Sequence, residues 1–141
     1  MVISGGHTSL YLSESWTGHE LIGSTVDDAV GEAFDKVASL LGLGYPGGPA
    51  ISNEGRNGNP RAVKFKPAFM KSDSLDFSFS GLKTAVLYHV KGQNASRSSP
   101  ILPEVSIPDV AASFEETAVT ILVEKLQRAM KRENVFRAIV G

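Results

Sequence analysis

Short apolar runs near the start of the chain have the pattern of β-strands. Residues 1–12 have strand character that is interrupted by Gly5 and Gly6, and a second apolar run lies within residues 19–24. Because the two runs are neighbours along the chain, we predict that they form a hairpin.

The next segment has the periodicity of an amphipathic helix. Thr25, with Asp28 three residues later, has the spacing of a capping box, and Gly42 supplies a stop signal. These signals predict a helix that starts at Thr25 and ends before Gly42. The apolar residues that recur at helical spacing are Val30, Phe34, Val37, Ala38 and Leu41.

The middle of the chain contains shorter elements. Residues 44–49 have turn chemistry and lead into a polar segment that begins with a short helix, and residues 63–66 alternate like a strand. A further helix is expected from Ser80 onward, followed by a polar loop at residues 93–103. The apolar side of that helix carries Leu82, Val86 and either His89 or Val90.

A long helix is predicted after Ser106, which forms another capping-box pattern with Asp109. Residues 135–140 then have the pattern of a buried strand. Strands separated by helices, without an internal repeat, predict an α/β architecture with a small sheet and several helices. The buried side of the long helix is marked by Val110, Phe114, Ile121, Leu122, Leu126 and Met130.

The composition is that of a soluble globular domain, with 42% hydrophobic and 21% charged residues in a chain of 141. The net charge of -1 carries no electrostatic signature of a nucleic-acid binder. Without cysteine there is no disulfide framework or thiolate metal site. The chain also has no signal peptide and no long apolar span, so we expect a soluble, cytoplasmic protein.

Both ends of the chain look cut. Residues 1–3 are apolar from the first position, and the apolar run at 135–140 leads directly to the last residue. Complete domains rarely start and finish inside core strands. We therefore expect residues 1–141 to be the central fragment of a longer protein, without a complete second domain.

The residues at the end of the first apolar run are a candidate phosphate cradle, to which the hydroxyls of Thr8 and Ser9 add donors. They are Ser4, Gly5, Gly6, His7 and Thr8. Glycine lets backbone amides approach a phosphate without interference from side chains. A bulge or tight bend in the hairpin explains the same residues. From the residues alone, the bend is favoured.

Three carboxylates form a stripe along the first predicted helix. Asp28, Glu32 and Asp35 lie on one side of it, nearly opposite the apolar residues. A solvated charged face explains such a stripe, and the helix dipole favours an acid in the first turn. The functional alternative is that the carboxylates face a ligand, where they accept hydrogen bonds from ribose hydroxyls or help to position a metal-bound substrate.

Two other segments have the same two interpretations. The turn at residues 44–49 and the helix start before Lys83 each offer backbone amides to an anion, yet turn formation and capping explain them more simply. The histidines show no spacing typical of metal ligands. They are His7, His19 and His89.

Four longer motifs resemble successive signatures of the TsaD family. They read VISGGHT at residues 2–8, VDDAVGEAFDK at 26–36, LGLGYPGGP at 41–49 and DFSFSGLKT at 76–84. The motifs follow the family's order and cover most of the chain apart from residues 50–75 and 90–108. The resemblance is therefore highly specific.

The resemblance implies an actin-like, sugar-kinase-type ATPase fold with two lobes around a nucleotide cleft, of which this chain holds a middle portion. It also implies transfer of a threonylcarbamoyl group from threonylcarbamoyl-adenylate to N6 of the adenosine next to the tRNA anticodon, with release of AMP. By motif, Asp35 and Gly48 contact the nucleoside part, Glu32 joins the same acidic site, and Asp28 stays solvated. The loop that touches the adenylate or its phosphate consists of Val2, Ile3, Ser4, Gly5 and Gly6.

The resemblance further implies an iron or zinc ion in full-length members, bound by an upstream histidine pair and a downstream aspartate that this chain lacks. Its implied partners are tRNA and the paralogous scaffold and ATPase subunits of a modification complex, without a membrane. Because these ligands and a closing glycine-rich loop are missing, we expect the isolated chain to be inactive. Robust tRNA modification by the purified chain would contradict that expectation.

Two other functions are consistent with the same family resemblance. The first is a metal-dependent glycoprotein endopeptidase, an older label in this family, although the chain offers no ligand set for a catalytic metal. The second is a non-catalytic paralogue that acts as a scaffold. The intact motif at residues 31–36 and the turn at 45–49 speak against the scaffold.

Overall fold

The computed structural model describes residues 1–15, 17–67 and 73–141. Three strands form one antiparallel sheet in the order β1-β2-β3, so the predicted hairpin and the α/β class are confirmed. The elements in chain order are β1 (Val2–Ile3), β2 (Thr8–Ser13), β3 (His19–Ser24), α1 (Val30–Leu40), α2 (Gly47–Gly55), α3 (Ser80–Lys91) and α4 (Ile107–Arg132).

The core lies where the helices pack together and against the sheet. The Phe34 and Phe114 rings meet edge to face with centroids 4.9 Å apart, which joins α1 to α4. The segment before α3 lies beside the end of β3. The Phe77 N–H donates to Ser24 O at 3.0 Å, and the Val26 N–H donates to Phe77 O at 2.9 Å. The fully buried aromatic side chains are Phe77, Phe79 and Phe114.

α1 begins at Val30, so the predicted start at Thr25 and its capping box are wrong. The Thr25 hydroxyl donates to Asp28 O at 2.7 Å, which closes a turn before the helix. The Val30 N–H instead donates to the hydroxyl oxygen of the buried Thr8 at 2.8 Å. The predicted stop is confirmed, because Gly42 follows the helix with a φ of 72°, a conformation that favours glycine.

The long helix α4 is confirmed, but its predicted capping box is wrong. Ser106 is the N-cap residue and makes no side-chain capping bond. The Asp109 carboxylate instead accepts the Asn59 N–H at 2.8 Å, a contact with a segment fifty residues earlier in the chain.

The shorter helices are also confirmed. α2 starts at the glycine turn, and α3 starts at Ser80 as the sequence predicts. Of the two alternatives at the end of α3, Val90 is buried and His89 is exposed. Residues 93–103 form a loop without helix or strand.

Residues 63–66 do not form the predicted strand. The side chains do alternate in burial, because Val63 and Phe65 pack against the core while Lys64 and Lys66 are exposed. The Val63 N–H donates to the Ser113 hydroxyl of α4 at 3.1 Å. The Val63 amide is therefore bonded to a helix side chain, and residues 63–66 join no sheet.

Residues 135–140 are not the buried strand that the sequence predicts. The side chains of Phe136 and Ile139 are 88% and 86% exposed. The backbone nevertheless lies beside β1, since the Ile3 N–H donates to Gly141 O at 2.7 Å and the Gly141 N–H donates to Met1 O at 3.2 Å. Gly141 is thus bonded to Met1 and Ile3, the residues on either side of Val2, which is the hydrogen-bond pattern of parallel strands.

Candidate functional site

The turn between β1 and β2 lies against the first turn of α1. A Cβ atom at Gly31 would lie 2.6 Å from Ser4 O and 2.9 Å from Gly5 Cα, closer than a side chain can approach. Glycine at position 31 therefore lets the turn contact the helix backbone.

The start of α2 contacts α1 one helical turn further along. The Gly47 N–H donates to Asp35 Oδ1 at 2.8 Å, and a Cβ atom at Gly47 would lie 2.5 Å from Phe34 O. Gly31 and Asp35 are four residues apart, a rise of about 6 Å along one side of the helix. We call the surface formed by residues 4–6, Gly31, Glu32, Asp35, Gly47 and Gly48 the α1 face.

The turn itself is held by Ser4. Its hydroxyl oxygen accepts the N–H groups of Gly6 at 3.2 Å and His7 at 3.0 Å, and its own N–H donates to His7 O at 2.8 Å. The interpretation as a tight bend is therefore confirmed. Two amides of the predicted phosphate cradle are bonded to Ser4, so anion binding there requires them to exchange partners.

The other predicted site residues fall into two groups. Asp35 and Gly48 lie on the α1 face, and the position where Gly48 would carry a side chain is open. Asp35 also lines a cavity of about 240 Å³ with Lys36 and Arg97. Val2 differs, because its side chain lines an apolar cavity of about 800 Å³ between the sheet, the end of α4 and the segment 135–141.

An ion-pair network lies beside the α1 face. Lys36 Nζ lies 2.6 Å from Asp28 Oδ1 and 2.7 Å from Glu32 Oε1, and Lys83 Nζ lies 3.5 Å from Asp28 Oδ2. The Asp28 side chain is 14% exposed and precedes the helix. The prediction that Asp28 is a solvated charge on the helix is therefore wrong.

Opposing effects act on the Asp28 carboxyl group. Burial raises its pKa, but the hydrogen bond from Lys36 and the charge of Lys83 outweigh burial and hold the pKa below its ordinary value. The hydrogen bonds to Asp28 and Glu32 raise the pKa of Lys36. Both ions of the pair are thus charged at neutral pH.

Sequence reasoning missed the role of Asp27. Its Oδ1 atom accepts the N–H groups of Phe79 at 2.9 Å and Ser80 at 3.2 Å, and its Oδ2 atom accepts the Ser78 hydroxyl. These bonds satisfy the first amides of α3. The partners are more than fifty residues apart, so no local pattern indicates the contact.

The described ranges offer no site for the metal that the resemblance implies. Within them, no three His, Asp or Glu side chains come together in a way that could hold an ion. All three histidines are exposed, and His89 meets the edge of Phe65 with ring centroids 6.0 Å apart. Each helix described there is also too short or too polar to traverse a bilayer.

The fold and the α1 face define an α/β unit in which two glycine turns and two carboxylates meet on one helix. The chain belongs to the TsaD family, because the family profile described as tRNA N6-adenosine threonylcarbamoyltransferase matches residues 1–141. The structure is consistent with a partial fold of this family.

Relatives with the same name are similar along the whole chain. The tRNA N6-adenosine threonylcarbamoyltransferase of Trichlorobacter lovleyi is 48% identical over 142 residues, which cover 100% of this chain and 40% of the relative. The protein of that name from Protochlamydia amoebophila is 50% identical over 141 residues, 100% of this chain and 41% of the relative. The chain thus spans about 40% of the length of these relatives.

Proposed function

We propose that this chain forms the adenylate-holding part of an acyltransferase. The substrate is threonylcarbamoyl-adenylate, and the acceptor is N6 of the adenosine next to the anticodon in a cytoplasmic tRNA. One observation carries the proposal. The two glycine turns reach the same side of α1, with Asp35 bonded to the start of α2 at 2.8 Å.

The proposed reaction is nucleophilic substitution at an activated carbonyl. The N6 amine attacks the carbamoyl carbon, a C–N bond forms, the C–O bond to the adenylate phosphate breaks, and AMP leaves while the amine loses a proton. The acyl group is already activated as a mixed anhydride. The protein therefore has mainly to orient the reactants and stabilise charge on the carbonyl and phosphate oxygens.

The residues of the α1 face have distinct proposed roles. Residues 2–6 form the proposed loop beside the phosphate, and the Gly6 N–H exchanges its bond to Ser4 Oγ for one to the anion. Asp35 Oδ1 accepts the Gly47 N–H, so Oδ2 is the proposed acceptor for a ribose hydroxyl. Gly48 lets the nucleoside approach the backbone of α2. Glu32, paired with Lys36, contributes to the same acidic edge.

Binding of AMP, the proposed leaving group, can be measured on this chain and tests the adenylate site. We expect calorimetric titration to detect AMP binding and Asp35→Asn to weaken it by about tenfold, because a charge-assisted hydrogen bond is lost. The asparagine Oδ1 atom still accepts the Gly47 N–H, so the fold should persist. Glu124→Gln is the matched control, since Glu124 is exposed on α4, about 15 Å along that helix from Phe114.

The outcomes separate the transferase from its alternatives. If the chain is folded but binds no measurable AMP, the proposal is contradicted and the non-catalytic scaffold is favoured. Equal weakening by Asp35→Asn and Glu124→Gln would place the nucleotide elsewhere. Within the described residues, no group of His, Asp and Glu side chains supplies the metal site that the endopeptidase needs.

A further inference from the structure

Basic residues are unevenly distributed along this chain of net charge -1. The stretch 55–67 has four cationic residues and no aspartate or glutamate. All four are exposed, and none forms an ion pair within the part of the chain that the structure describes. They are Arg56, Arg61, Lys64 and Lys66, and we call the segment 56–66 the basic segment.

The backbone of the basic segment is fixed on the first turns of α4. The Asn59 N–H donates to Asp109 Oδ1 at 2.8 Å, and the Ser113 hydroxyl donates to Asn59 O at 3.2 Å. A Cβ atom at Gly58 would lie 2.0 Å from Pro108 O, so the chain packs directly on the helix backbone. The cations are therefore carried by an anchored segment.

In the second half of the basic segment, the apolar side chains are packed and the charged side chains are exposed. Val63 and Phe65 pack against the core, while Lys64 and Lys66 between and after them are exposed. Four like charges repel one another and attract a polyanion, and the bordering Asp109 carboxylate already accepts the Asn59 N–H. A polar surface that only needed solubility would mix both signs.

The basic segment also has a defined position relative to the α1 face. α2 runs from Gly47, bonded to Asp35, to Gly55, directly before Arg56. A helix of nine residues spans about 13 Å. The basic segment therefore begins one helix length away from the α1 face.

We propose that the basic segment binds the phosphate backbone of the RNA whose base is modified. The inference rests on the proposed function, in which tRNA is the acceptor, and assigns the surface that holds it. Backbone contacts of this kind position the RNA without reading its sequence. The nearby α1 face then holds the adenylate.

The test measures binding of an anticodon stem-loop RNA to the purified chain by fluorescence anisotropy between 50 and 200 mM salt, a range in which phosphate contacts are strongly salt-dependent. We expect Arg61→Gln/Lys64→Gln to weaken binding by about tenfold at 0.1 M salt and to reduce the slope of log K against log salt by about 2. The control Lys131→Gln/Arg137→Gln removes one exposed lysine and one exposed arginine elsewhere. The control should change affinity by less than about twofold.

Three outcomes would overturn the inference. They are equal losses in the two double variants, no RNA binding by the unaltered chain, and competition by poly-glutamate as strong as by RNA at equal charge, which would indicate an acidic protein partner. AMP titration of Arg61→Gln/Lys64→Gln separates the two proposals. We expect the double variant to bind AMP as the unaltered chain does. If the unaltered chain does not bind AMP, the adenylate site alone is contradicted.

Discussion

The α1 face and the segment 135–141 are both rich in apolar or glycine residues, yet they are held in different ways. On the α1 face, Gly31 and Gly47 bring two turns into contact with the helix backbone, and the Asp35 carboxylate accepts the Gly47 N–H. The segment 135–141 is held beside β1 by backbone bonds, with Phe136 88% exposed. Hydrophobicity alone therefore does not determine burial; a side chain also needs a second surface that covers it.

The largest expected effect comes from truncating one phenylalanine that packs against α1 and another in the segment 135–141. Phe114→Ala removes a fully buried ring that packs on α1, and we expect it to cost about 3–5 kcal/mol in the free energy of unfolding. Phe136→Ala should change that free energy by less than about 0.5 kcal/mol. Urea denaturation measures both. A large cost at Phe136 would mean that the segment is packed in solution.

The glycine contacts of the α1 face allow a second matched pair. Gly47→Ala forces a Cβ atom to within 2.5 Å of the α1 backbone and should destabilise the chain by about 1–3 kcal/mol. Gly48→Ala meets open space in a helix and should be neutral or stabilising by up to about 1 kcal/mol. Thermal unfolding followed by circular dichroism compares them. Equal effects would remove the argument for close packing.

A third test concerns the capping of α3 by Asp27. Asp27→Ala leaves the Phe79 and Ser80 amides without their acceptor, and we expect a loss of about 1–2 kcal/mol. Asp73→Ala, the removal of an exposed acid, is the control. Hydrogen exchange should show faster opening of the first turn of α3 only in Asp27→Ala. Unchanged protection there would contradict the capping role.

The smallest expected effect is the pH dependence of the Asp28 network. A lowered pKa means that the carboxylate stabilises the fold above the ordinary aspartate pKa of about 3.9, and that this contribution is lost as the pH falls through the lower folded value. Asp28→Asn should cost up to about 1 kcal/mol at pH 7 and less at pH 3. Urea midpoints of both proteins at the two pH values measure the difference, which high salt should also reduce.

The periodic helices could be predicted from the sequence, but their starts could not. Apolar spacing identified α1 and α4 because each buries one continuous side in the core. The local pattern of Thr25 and Asp28 failed because α1 finds its first acceptor on Thr8, 22 residues earlier. Likewise, alternation at residues 63–66 reported burial correctly but could not reveal that Ser113 of a helix, and no strand, receives the Val63 N–H.

The candidate site was predictable to a similar degree. The motifs indicated the glycine turns and Asp35, and the structure brings them to one side of α1. Their binding roles stay predictions. The contacts of Asp27 and Asp28 with α3 were missed because they join residues more than fifty positions apart, where no spacing rule applies. The basic segment was hidden by the net charge, which averages over surfaces that a ligand meets separately.

Thr8 couples the alignment of the strands to the position of α1. The residue pairs with Ile3 in the sheet, its carbonyl accepts the Thr25 N–H, and its hydroxyl oxygen accepts the first amide of α1. A slip of β2 by one residue would turn this side chain to the opposite side of the sheet. Only the native register thus gives the helix its acceptor, so an error in strand pairing would also displace the helix that carries Asp35.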